Sequence, residues 1–120
     1  MPVPTRSRCA QRLAVVVLAM MANVANAGIP TLPDCFEGAD FIANAARARD
    51  NGMPRQAFMG RLEDDLVVIR AFPPALRWFA KDATDERFLI EAAARVYDKP
   101  RTPVQHQADF LAVCLERIGA

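Results

Sequence analysis

Two cysteines, Cys35 and Cys114, bracket almost everything in this chain that can fold, and in an oxidising compartment they have only one way to pair. A bridge between them sets the first and last elements side by side and closes nearly the whole fold into one loop. Chain-entropy arithmetic for a loop of that size gives about 4 to 4.5 kcal/mol. For a domain of under a hundred residues that is a large share of its stability. A redox or metal role for the pair has little support. There is no Cys-x-x-Cys, and the single histidine, His106, cannot complete a zinc site with two thiols without a carboxylate.

The pairing presupposes export and the loss of the third cysteine, Cys9. Arg6, Arg8 and Arg12 precede an uncharged apolar run from Leu13 to Ala22, and Ala25-Asn26-Ala27 follows with small residues at its first and third positions. That order predicts a signal peptide over 1–27, cleaved after Ala27, and a periplasmic or secreted product. The apolar run is about half the ~20 residues needed to span a bilayer. No mature segment is a membrane span either. Removing 1–27 takes away three of fifteen basic residues and leaves twelve against fourteen acidic ones, a net charge of −2. Such a balance lacks the single-sign field of a nucleic-acid or anionic-membrane binder.

Periodicity in residues 28–120 predicts one all-α domain, a bundle of four or five helices closed by the disulfide. After the extended leader 28–33, Asp34 caps a first helix with Glu37 as its capping-box partner. Glu37, Asp40, Asn44, Arg47 and Asn51 form a narrow polar stripe, so this helix packs on more than one side. Gly52 ends it. Pro54 opens a second helix, with Phe58, Met59, Leu62, Leu66 and Ile69 on its inner face. Residues 66–72 are rich enough in β-branched side chains to read also as a strand, but a lone strand would have no partner. Pro73-Pro74 then introduces a short helix or turn carrying Trp78 and Phe79.

Thr84 is expected to cap the next helix, whose apolar positions are Phe88, Leu89, Ala92 and Val96, with Arg87, Glu91 and Arg95 as a solvated row. Thr102, Pro103 and Gln105 supply a cap, a first-turn proline and a capping-box partner for the last helix. Its buried line is expected at Val104, Ala108, Leu111, Leu115 and Ile118.

Candidates for chemistry are few. Arg49 lies on the apolar side of the first helix, where a guanidinium must find either a carbonyl or ion-pair partner inside the protein or a ligand. Asp50 follows it. Tyr97, the only tyrosine, closes the fourth helix and can either line a small site with Arg49 or cover a turn with its hydroxyl on a backbone group. Arg49, Asp50 and Tyr97 are expected to be structural, and they are the candidate partner-binding residues if they are not. His106 has no nucleophile near it and reads as a surface residue. Glu63, Asp64 and Asp65 radiate around a helix rather than converge, and the five glycines form no phosphate loop. No catalytic residue, metal site or cofactor is expected.

Cys35, "ARARDNG", "ARVYDKPRTP" and "DFLAVC" together resemble a recurrent type of short exported protein of Gram-negative bacteria, with a signal peptide and a cysteine-bridged helical domain. The likeness is strongest at Arg49-Asp50-x-Gly52, Val96-Tyr97 and Cys114. It implies compartment and fold and transfers no catalytic residue. In architecture the chain is also similar to the small periplasmic acid-stress chaperones and to the immunity proteins that block cell-wall amidases. The expectation is a binding or interaction protein of the envelope with an envelope protein as partner. An acid-activated holdase, an immunity protein or inhibitor of an envelope hydrolase, and a small hydrolase or hydrolase cofactor are the alternatives. The sequence sets no oligomeric state.

Overall fold

The computed structural model describes residues 28–119; the expected signal peptide and its cleavage point lie outside them, as does Ala120. Four α-helices, α1 (Leu32–Asp50), α2 (Arg55–Ile69), α3 (Ala83–Asp98) and α4 (Pro103–Gly119), and a 3-10 turn at Pro74–Leu76 make up the order, with no strand among the described residues. The 66–72 ambiguity resolves as helix through Ile69 followed by turn. The segment around Trp78 and Phe79 is a turn, not a third helix. Trp78 adopts a φ of 56° there, and Phe79 drops fully into the core.

α1 is the central helix. It packs against α4 and α3, and α2 in turn packs on α3. Its eight buried residues include Gly38, Ala39, Ala43, Ala45 and Ala46, small side chains that let two neighbours approach. The expected polar stripe is exposed throughout. Cys35 and Cys114 are joined, with their Cα atoms 5.7 Å apart. The ring of Phe110 lies where a side chain on Gly38 would stand: a Cβ there would come within 2.6 Å of it. The glycine is thus the seat of α4 on α1. Phe110 also meets Phe79 edge-on, with centroids 5.4 Å apart.

Three of the four helix starts are capped by side chains, two of them earlier than the sequence suggests, while α2 follows Pro54 without a side-chain cap. α1 is capped by Thr31, whose hydroxyl accepts from the Asp34 amide while the Asp34 carboxylate accepts from the Thr31 amide. Asp34 is therefore the capping-box partner and not the cap, and the leader is shorter than 28–33. For α3 the cap is Asp82, which accepts from the Asp85 amide at 2.8 Å, and Thr84 lies inside the helix. A carboxylate two residues earlier takes the capping role from the hydroxyl. At α4 the expected pair holds: the Thr102 and Gln105 amides donate to each other's side chains, both at 3.1 Å.

α4 is rotated relative to expectation. Val104, Ala108 and Leu115 face solvent, Leu111 and Ile118 are half-buried, and the inner line is His106, Phe110 and Cys114. Those three recur every four residues, so one face carries them all. The bridge to Cys35 and the seat at Gly38 fix that face inward, overriding the apolar count.

Two buried carboxylates brace the core's edge. Asp34 takes a hydrogen bond from Lys81 Nζ at 2.8 Å, and Asp85 takes one from Arg117 Nη2 at 2.7 Å. Burial raises the Asp34 pKa, but the bonds from Lys81 and Thr31 outweigh it and the net displacement is downward. At Asp85 burial wins despite Arg117, with Asp82 adding to it, and the pKa is raised.

Candidate functional site

The C-terminal ends of α1 and α3 meet and are tied reciprocally. The α1 end is a tight reversal: Met53 N–H donates to Ala48 O and Gly52 N–H to Arg49 O, with Gly52 at a φ of 95°. That geometry needs a glycine. Tyr97 on α3 donates its hydroxyl to Met53 O at 3.1 Å. In return, Arg49 on α1 donates from Nη1 to Val96 O at 2.6 Å and from Nη2 to Arg101 O at 2.7 Å. Its Nε and Nη2 also reach Asp50 Oδ1, at 3.0 and 2.9 Å. Nη1 also lies 3.4 Å from His106 Nε2, and all three guanidinium nitrogens are engaged within the chain.

His106 is buried rather than at the surface, at 6% exposure. Its Nε2 accepts the Arg101 amide at 3.0 Å, so the neutral ring carries its proton on Nδ1. Burial, and then the facing Arg49, Arg101 and Arg95, push its pKa down, with Asp109 opposing. Together Arg49 and His106 hold both the carbonyl and the amide of Arg101. The connection between α3 and α4 is thereby pinned to α1. Tyr97 has its pKa raised by burial, opposed by Arg49.

Beyond this clasp α3 and α4 stand apart over α1, leaving a cleft of about 480 Å³. Its floor is Ile42, Ala92 and Phe110, and Phe88 and Val113 flank the outer half. At the clasp end stand Arg95, Lys99, Arg101 and His106, with Glu91 and Asp109 on the edges. The layout follows from position. Residues 95 to 106 surround the α3–α4 connection, whereas Phe88 and Val113 lie about two turns away on either helix. Arg101 pairs with Asp109, while Arg95 and Lys99 have no ion-pair partner among the described residues. The volume lies within the range usual for ligand sites, about 300 to 1,000 Å³.

Of the residues singled out by sequence, the structure brings Arg49, Asp50 and Tyr97 to the clasp behind this cleft, and Cys35 and Cys114 to the far end of the α1–α4 pair. His106 and the cleft walls were not anticipated as a site. The spacing His106, Phe110, Cys114 carries the signal that could have found the histidine, because a residue two turns from a bridged cysteine shares its inward face. Among the described residues no group of three or more His, Cys, Asp or Glu could hold a metal ion, and no helix is long and apolar enough to cross a membrane. No protein-family model, curated protein or solved structure matches the chain.

Proposed function

We propose that this is a binding protein of the bacterial cell envelope that holds a protein partner in the cleft between α3 and α4. The observation that carries the reading is the cleft itself, an apolar floor closed at one end where Arg95 and Lys99 have no ion-pair partner among the described residues. Recognition sites combine such a floor with a few convergent polar groups. Arg49, Asp50 and Tyr97 act from behind, holding the closed end in place. Export is supported by the order of charged, apolar and small residues in 1–27 and by the disulfide, which persists in oxidising compartments. Inhibition of an envelope hydrolase is one form of this reading, with the enzyme as partner.

The test is capture from periplasmic extract by the oxidised protein, by Val113→Glu and by Val68→Glu. Val113 is 44% exposed on the cleft and Val68 is 60% exposed on α2, so neither change disturbs the core. A partner retained by Val68→Glu and lost by Val113→Glu supports the cleft; equal capture by both variants removes it.

An acid-activated holdase is the second reading, favoured by the apolar surface around Val67, Val68, Phe72 and Leu76 at the end of α2. It requires suppression of client aggregation in acid and none at neutral pH. Suppression at both, or at neither, rejects it.

A further inference from the structure

We infer that the α3–α4 cleft receives the free C-terminus of a polypeptide, with its α-carboxylate at Lys99 and Arg95 and its last apolar side chains on Ile42, Ala92 and Phe110. This rests on the cleft being the binding site and adds the chemistry of what enters it. Charge is the first argument. Arg95 lies in the last turn of α3 and Lys99 is the residue that caps its C-terminus; both line the cleft, are exposed, and have no ion-pair partner among the described residues. Two cations so spaced can both donate to one carboxylate.

The closed end is the second argument. The α3–α4 connection runs across the cleft where the cations stand, and Arg49 and His106 fasten it from behind. A chain lying along the cleft must stop there. The anionic group is therefore a terminal carboxylate rather than an Asp or Glu side chain within a continuing segment.

The open edge is the third, and it separates a peptide from a free fatty acid. Glu91, Arg95, Asp109 and Val113 are all exposed, so the cleft is open to water along its length. An acyl chain would leave one side wet. A peptide can turn its hydrated backbone outward and its apolar side chains to the floor, with Glu91 and Asp109 placed to accept backbone N–H groups.

The probe is an N-acetylated hexapeptide ending in Leu-Ala-Val, as the free acid and as the C-terminal amide, with decanoate alongside. Each is titrated into the isotope-labelled oxidised protein and followed through its amide resonances. The free acid should shift resonances of α3 and α4 around the cleft and bind about tenfold more tightly than the amide, the expected effect of a charge-assisted contact. Lys99→Ala and Arg95→Ala, both at exposed positions and checked by circular dichroism, should bring the acid down to the amide's affinity. Equal binding of acid and amide overturns the inference, as does tighter binding of decanoate or no binding of either peptide. Each of those results, found while Val113→Glu still abolishes partner capture, defeats the terminal carboxylate and leaves the cleft standing.

Discussion

At the scale of single residues, the clasp puts three side chains in positions where small changes have calculable effects. Arg49→Ala leaves the Val96 and Arg101 carbonyls without their donor and should lower stability by roughly 1 to 3 kcal/mol, read as a lower thermal midpoint. Tyr97→Phe removes one neutral hydrogen bond to Met53 O and should lower it by about 0.5 to 1.5 kcal/mol. His106 gives a pH signature. Its native pKa lies below the ordinary 6.5, so between the two values the unfolded chain binds more protons than the folded one. The contribution of the neutral ring is whole above about pH 6.5 and is lost as pH falls toward the native value. Denaturation midpoints should rise with pH through this range, and the rise should vanish in His106→Gln. It is the only histidine, and the raised pKa of Asp85 acts with the opposite sign, so a rise that vanishes in the variant belongs to the imidazole. Arg49 was legible in sequence because a charge on an apolar face demands an acceptor. His106 was not, because its acceptor role depends on Arg101, five residues earlier, folding back across the helix start.

At the scale of elements, α4 is set on α1 by one missing side chain. Gly38→Ala would press a methyl into the Phe110 ring and should destabilise by roughly 1 to 3 kcal/mol, the usual range for overpacking. Phe110 forms part of the cleft floor, so the displaced ring should also move amide resonances across α3. The number of helices and most of their ends were legible, since Gly52, Pro54, Pro73-Pro74 and Pro103 are local signals that need no neighbour. The caps of α1 and α3 were misplaced by two or three residues because Thr31 and Asp82 compete with equally plausible groups nearby. The rotation of α4 was hidden for a different reason. Its outward face carries Val104 and Leu115, and only contact with Gly38 and Cys35 decides which apolar row is inside. The cleft was hidden as well, being a gap between two helices whose separation no residue pattern encodes.

At the scale of the whole molecule, the disulfide joins the first helix to the last across 79 residues. Replacing both Cys35 and Cys114 by Ala should lower unfolding free energy by up to about 4.5 kcal/mol on the chain-entropy account, measured by denaturant titration of variant against oxidised protein. Packing around the two buried positions is retained by alanine better than by serine, so the loss reports mainly the constraint. The same bond has a consequence for the life of the protein among proteases. All three connections between helices lie inside the closed loop, including the exposed turn at Phe72 to Leu76. A single cut at any of them yields two fragments that are still one covalent molecule, tethered by the bridge and free to re-dock. On a non-reducing gel the nicked protein should run as one band, and on a reducing gel as two. Cleavage would wound the chain without releasing its pieces.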